Sequence, residues 1–283
     1  MIANPDKPSC RKAISHVVRF IESRGAVPLF DVGAAALAEG RHPKSAMETG
    51  ALARCTDMLL VFGGDGTMLR AAREAAGGTA PLLGINTGHL GFLAAVNIHE
   101  LGDALEKVWA GAYSLESRPL IEASIIPSKS KRSMLALNDF VIGRGDVSRV
   151  IELEVTVDGE LLTQYRGDGL IVSSPTGSTA YSLAAGGAIV SPRARVFALT
   201  PICPHALSNR TVIVSLDSVV SVSILSQKLA TILSADGQTQ ETLTPGDRIQ
   251  IRNGRRRVRL VRLEGSSFFA TLRRKLDWRG TSL

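Results

Sequence analysis

Residues 58–67 run from five apolar side chains, Met58 to Phe62, straight into Gly63-Gly64-Asp65-Gly66-Thr67. An Ala- and Leu-rich stretch follows and is stopped by Gly77-Gly78. A strand that ends in adjacent glycines and opens a helix is a unit of α/β folds. The helix start offers unpaired backbone N–H groups and a positive dipole end. Glycines let phosphate oxygens come close to that backbone. No Gly-Lys-Ser/Thr follows, so this is not a Walker A loop, and no G-x-G-x-x-G is present. Asp65 is the unusual member. A carboxylate beside phosphates is repelled by them, and it makes sense there if it takes a proton from an attacking hydroxyl or helps hold Mg²⁺. A plain glycine turn with an Asp cap is the other reading.

The surrounding pattern extends the α/β reading. Residues 10–24 predict a helix with Ile14, Val17, Val18 and Ile21 on one face and Gly25 past its end. Val27–Phe30 and Pro81–Ile85 read as strands, Thr67–Ala76 as a helix, and Leu101–Val108 as another helix closed by Gly111. Met1–Asn4 reads as the end of a short first strand. A parallel sheet over residues 1 to about 95 follows. Beyond residue 111 the period changes. Val150–Val157 alternates and runs into Asp158-Gly159, a hairpin turn signal. Thr211–Leu216, Val219–Leu225 and Leu229–Leu233 are β-branched and apolar. Arg248–Arg252 and Arg255–Leu263, joined by Asn253-Gly254, predict a second hairpin. The expected division is an α/β domain at 1–110, a β-rich domain at 111–263, and a segment at 264–283 that packs back on the body.

Composition fits a globular protein: 283 residues, 45% hydrophobic, 21% charged and only 5% aromatic, so aliphatic side chains build the core. No apolar run reaches the roughly 18 residues of a membrane span. The N-terminus lacks the pattern of a signal peptide. Cys10, Cys55 and Cys203 make neither a disulfide framework nor a zinc pattern, and a cytoplasmic location is expected. Of the net charge of +7, residues 248–283 carry +9, from eleven basic and two acidic residues. This local basicity reads as a solvated sheet face. The other reading, a nucleic-acid surface, lacks interleaved aromatics for base stacking.

A second group of signals lies in the β-rich half. Arg166-Gly167-Asp168-Gly169 precedes a strand and then Ser174-Pro175-Thr176-Gly177-Ser178-Thr179-Ala180-Tyr181. Its hydroxyls could surround a pocket, an acidic side chain could accept from an exocyclic amine or ribose hydroxyls, and Tyr181 could stack on a base. A capped Gly/Ser/Thr loop explains the segment equally. Asn138-Asp139 and Asp236-Gly237-Gln238, each ending an apolar stretch, read singly as turns.

Together these motifs resemble the NAD kinase family in its bacterial form. The resemblance rests on Gly63–Thr67, Gly84–Leu93 (GINTGHLGFL), Asn138-Asp139, Arg166–Gly169, Pro175–Tyr181 and Pro204–Arg210 (PHALSNR). Departures are small: Ser174 and Ala206 stand where Thr is common. The resemblance implies an N-terminal parallel α/β domain and a C-terminal β-rich domain with NAD held between them. It implies phosphoryl transfer from ATP or polyphosphate to the 2′-hydroxyl of the adenosine ribose of NAD, with a divalent metal, Mg²⁺, arriving with the donor. It implies Asp65 as general base, and Gly63, Gly64, Gly66 and Thr67 at the donor phosphates. NAD contacts would be Asp65, Gly66, Arg70, Asn138, Asp139, Arg149, Arg166, Asp168, Thr176, Thr179, Ala180, Tyr181, Ser182, Leu183, Ala184 and Gln238. A homodimer or homotetramer is implied, with no nucleic-acid or membrane partner. The glycine loop alone is shared with lipid kinases of the diacylglycerol kinase type, which is the alternative function.

Overall fold

The computed structural model describes residues 1–38, 46–88, 91–127, 133–145, 149–206, 208–226 and 231–278. His89 and Leu90 of the long glycine motif, Leu207, and the start of the Leu229–Leu233 run lie outside the described residues. In chain order the elements are β1 (Ile2–Ala3), α1 (Arg11–Ser23), α2 (Val32–Leu37), α3 (Thr49–Cys55), β2 (Leu59–Phe62), α4 (Asp65–Glu74), β3 (Leu82–Asn86), β4 (Val96–Asn97) and α5 (Leu101–Trp109). Then follow β5 (Tyr113–Ile126), β6 (Met134–Ala136), β7 (Asp139–Arg144), β8 (Ile151–Val157), β9 (Glu160–Gly167), β10 (Gly169–Ser173), α6 (Tyr181–Ala184) and β11 (Val196–Ile202). The chain closes with β12 (Val212–Ser215), β13 (Val220–Ile224), β14 (Thr231–Ala235), β15 (Thr239–Leu243), β16 (Arg248–Leu263) and α7 (Phe268–Lys275).

The chain divides into two compact units, residues 1–118 with 257–283, and residues 119–256. The sequence places its breaks at 110/111 and 263/264. The structural breaks fall instead inside β5 and β16, two long strands that carry the chain across the boundary without a linker.

In the first unit β1, β2 and β3 are parallel neighbours, with Ile2 beside Val61 and Leu59 beside Leu82. β4 adds to β3, and Leu260 of β16 pairs with Leu82, also in parallel. β2 and β3 are buried at every residue, as strands covered on both faces must be. Helix α1 buries Ile14, Val17 and Val18 against this core. Val27–Phe30 is not a strand, contrary to its apolar reading: Val27 is exposed, and the segment is tied by the terminal amine of Met1 donating to the Leu29 carbonyl (2.6 Å). α2 and α3 went unread because six and seven residues are too few for a helical period to show.

The second unit is antiparallel throughout. β9, β8, β13 and the first part of β16 are neighbours in one sheet, to which β5 adds beside β16 and β6 beside β5; β12, β11, β10, β7, β14 and β15, in that order, form the other. Phe140, Ile142, Leu170, Val172 and Leu233 from the second sheet share a core with Leu153, Val155, Val222 and Ile249 from the first. The expected turn at Asn253-Gly254 is absent, and β16 runs unbroken from Arg248 to Leu263. Gly254 is there for close approach: a Cβ on it would stand 2.5 Å from the Leu120 carbonyl oxygen.

Candidate active site

The glycine turn forms as its residues dictate. Gly63 sits at φ +154°, and a Cβ there would overlap the Thr67 hydroxyl, so only glycine fits. Its N–H donates to the Ile85 carbonyl (3.0 Å), which holds the turn to the end of β3. Gly64 is the extended N-cap residue, and nothing stands within 4 Å of where its Cβ would be. The backbone here is therefore open to a ligand at the N-terminus of a ten-residue helix. Helix α4 starts at Asp65, two residues before the expected Thr67.

Asp65 does not point into empty space. Its Oδ2 accepts from the Phe92 N–H (2.9 Å) and its Oδ1 from the Leu93 N–H (3.1 Å). Gly91 makes this possible, because a Cβ on it would overlap the Asp65 carboxylate. The two glycine motifs of the first unit thus meet at one side chain. Each oxygen keeps a further lone pair for a proton or cation. Phe92 is backed by Phe268 of α7 (centroids 6.3 Å apart) and by the Lys275 ammonium. Arg70, one turn along α4, donates to the Ala3 carbonyl (3.0 Å) and pairs with Asp31 (3.3 Å) and Glu74 (3.3 Å). It ties α4 to β1 and to the residue that caps α2.

In the second unit Asn138-Asp139, the Ser174–Thr179 turn and Asp236 come together. The Ser174 N–H donates to the Asn138 carbonyl (2.8 Å) and its hydroxyl to the Leu137 carbonyl (2.6 Å), while the Gly177 N–H donates to that hydroxyl (3.2 Å). Thr176 is buried; the Thr179 hydroxyl donates to its carbonyl (3.4 Å). After Ala180, Tyr181 is 47% exposed, Ser182 is buried with its hydroxyl 2.9 Å from that of Thr200, Leu183 is half-buried and Ala184 exposed. Tyr181 thus presents an open ring beside buried hydroxyls. Gln238 is exposed, its N–H bonded to the Ala235 carbonyl (3.0 Å).

Asp236 is the residue the sequence reading passed over as a turn. Its buried carboxylate accepts from the N–H groups of Asn138 (2.8 Å), Leu137 (3.1 Å) and Asp139 (3.3 Å). Burial, with the Asp236 charge second, raises the Asp139 carboxyl to about 7. Ser234 pairs with Val141, so Asp139 and Ser234 project to the same sheet face; the buried Ser234 hydroxyl has no partner among the described residues.

Arg166 and Asp168 are not part of this cluster. Ser173 pairs with Asp139 at one end of β10, and Gly169 with Gly143 at the other, which separates the groups by about 13 Å along the strand. Asp168 pairs there with Arg144 (3.3 Å), and Arg166 with Glu152 (3.0 Å). Arg149 is exposed just before β8. The His205 N–H donates to the Arg166 carbonyl (2.9 Å), so Pro204-His205 sits at this end as well.

Among the described residues no group of three or more His, Cys, Asp or Glu is gathered for a metal. A divalent ion that travels with phosphates asks for less: one or two carboxylates beside the phosphate oxygens. Asp65 at the open glycine turn meets that requirement.

Comparison with known proteins agrees with this geometry. Residues 1–113 match the ATP-NAD kinase N-terminal domain and residues 137–263 the ATP-NAD kinase C-terminal domain. An NAD kinase of Moorella thermoacetica is 42% identical over 281 residues, covering 99% of this chain and 89% of its own length. One from Ralstonia nicotianae is 37% identical, covering 98% and 97%. Among solved structures, yeast NADH kinase complexed with NADH superposes with a TM-score of 0.89 at 28% identity, covering all of this chain and 88% of that one. An Archaeoglobus fulgidus NAD kinase in complex with ATP shares the fold, with a TM-score of 0.71 at 23% identity over 99% and 98%. With a glycine-capped helix bearing Asp65 in one unit, a polar sheet face in the other, and both family domains matched in order, this chain belongs to the NAD kinase family.

Proposed function

We infer that this chain is a phosphotransferase that phosphorylates NAD, moving a phosphoryl group from ATP, or from polyphosphate, to the 2′-hydroxyl of the adenosine ribose to make NADP. The observation that carries this is the match of both ATP-NAD kinase domains over 1–113 and 137–263. The lipid-kinase alternative rested on the glycine loop alone and finds no support in those matches.

A ribose hydroxyl is a poor nucleophile, and the moving phosphoryl carries concentrated charge, so catalysis is chiefly positioning and electrostatics. In our reading Gly63, Gly64, Gly66 and Thr67 receive the donor phosphates at the start of α4, with the closest approach at Gly64, where nothing stands in the place of a side chain. Asp65, held in one orientation by the Phe92 and Leu93 amides, accepts the 2′-hydroxyl proton as its oxygen attacks phosphorus. Asn138 and Asp139 hold the adenosine end, and the Thr176–Ala184 segment with Tyr181 bounds it. Arg70 supports α4, and Arg149, Arg166, Asp168 and Gln238 contact the rest of the dinucleotide. Asp65 would hold Mg²⁺, whose contribution when bound is to offset the charge of the donor phosphates.

A homodimer or homotetramer and a cytoplasmic location belong to the same reading; light scattering and cell fractionation test them. No helix among the described residues is long and apolar enough to cross a membrane. The deciding assay supplies purified chain with NAD, Mg²⁺ and either ATP or polyphosphate, and follows NADP with an NADP-specific dehydrogenase. NADP formation is expected. Phosphorylation of diacylglycerol in its place would overturn the reading. Repeating the assay with NADH measures tolerance of the reduced nucleotide.

A further inference from the structure

The chain makes the same turn twice and uses it differently. Asp158-Gly159 joins β8 to β9, and Asp236-Gly237 joins β14 to β15; all four residues have positive φ, between 51° and 88°. Such turns accept Asp, Asn or Gly equally well. Asp158 behaves as a surface turn residue: its carboxylate is exposed and accepts from the Val219 N–H (2.8 Å). Asp236 is 9% exposed. A turn alone gives no reason to bury a charge, which is costly unless hydrogen bonds replace the lost water. Three consecutive N–H groups, those of Leu137, Asn138 and Asp139, replace it. The Asp236 N–H also donates to the Asp139 carbonyl (3.0 Å), so the contact is two-way.

We propose that Asp236 is a positioning residue for the nucleotide: its buried carboxylate fixes the backbone of residues 137–139 and so aims the Asn138 and Asp139 side chains. This rests on the reading of Asn138 and Asp139 as nucleotide contacts. Without the anchor, three donors in a row lose their acceptor and the segment must find other partners. After burial, the same carboxylate is the second cause that raises the Asp139 carboxyl to about 7, so that about half of it is protonated at neutral pH and can donate as well as accept.

Asp236→Asn in the full-length enzyme tests this. Asn tolerates positive φ, so the turn survives while the charge and one acceptor oxygen are lost. With hydrogen bonds to a charged group worth about 1.5–3 kcal/mol, the KM for NAD should rise about 10- to 100-fold. Turnover at saturating NAD should stay within about threefold, because Asp236 touches no reacting atom. An unchanged KM in the folded variant would overturn the proposal, as would a fall in kcat at constant KM. Asn138→Ala is the control: if it leaves NAD binding intact, the nucleotide reading itself has failed, independently of Asp236. If Asp236→Asn does not fold, hydrogen exchange on the native enzyme decides. Amides of 137–139 protected as strongly as those of β10 support the anchor, and exchange at the rate of an exposed loop refutes it.

Discussion

Asp65 and Asp139 are both carboxylates at element starts, yet their surroundings ask opposite things of them. Asp65 sits among donors, at a helix N-terminus and on two backbone amides. Asp65→Asn keeps the shape and removes the proton acceptor. General-base catalysis typically supplies about 10²–10⁴-fold, so kcat should fall by that order while NAD still binds, as single-turnover assay and calorimetry would report. Turnover near that of the wild type would remove Asp65 from the chemistry. The amide nitrogen of Asn also cannot accept, so one of the two N–H groups loses its partner, at about 1–3 kcal/mol of stability. Asp139 instead sits beside a second carboxylate in a dry place, and its folded pKa is raised to about 7. The folded chain therefore holds a proton that the unfolded chain releases from about pH 4 upward. Stability from this group is complete below about pH 4 and is lost as pH rises toward 7. Asp139→Asn should flatten that part of the pH dependence of the denaturation midpoint. An identical slope in both proteins would show that Asp139 is not the buried acid.

At the scale of elements, β16 is the informative case. Its arginines alternate with apolar residues on either side of Asn253-Gly254, which is why it reads as a hairpin. Gly254 is explained by its neighbour rather than by a turn: the Leu120 carbonyl occupies the space of a side chain. Gly254→Val should therefore push β16 from β5 and lower stability by about 1–3 kcal/mol, measurable by urea denaturation; a neutral result would mean the backbones separate freely. Beside it Arg252, Arg255 and Arg256 line an open cavity of about 360 Å³ with Glu122, Ser133 and Leu135. Arg252 pairs with Glu122 (3.4 Å), and Arg257 donates to the Ser117 hydroxyl (2.7 Å). Exposed pairs of this kind contribute at most about 1 kcal/mol. Changing Arg255, Arg256 and Arg257 together to Gln should leave turnover within a few-fold in the NADP assay. A collapse of activity with the fold intact would make this strand part of a site or of an active assembly.

At the scale of the molecule, the two units differ in how the chain supplies them. Residues 119–256 are continuous, whereas the first unit needs 257–283 to complete it: Leu260 adds to β3, and Phe268 backs Phe92. A fragment of 119–256 should keep its β-sheet spectrum and unfold cooperatively. A fragment of 1–118 should fold only when 257–283 is joined to it, and a stable 1–118 would show that the returning strand is dispensable. This division also marks how far the sequence could be read. Local chemistry was legible: an apolar strand entering glycines determines the β2–α4 turn, and Asp158-Gly159 determines a hairpin, because steric freedom at positive φ belongs to a few residue types wherever they occur. The class of each half followed from side-chain period. What waited for the tertiary structure was every feature defined by a distant neighbour. Asp236 has the turn sequence of Asp158 and becomes an anchor only because β14 lies beside β7. Gly254 resembles a turn glycine and is a packing glycine. Asp168 and Thr176 are eight residues apart in sequence, yet β10 carries them to opposite ends of one strand. Sequence determined the conformations that each residue prefers; the fold decided which of them meet, because burial and hydrogen bonding depend on what packs across the sheet.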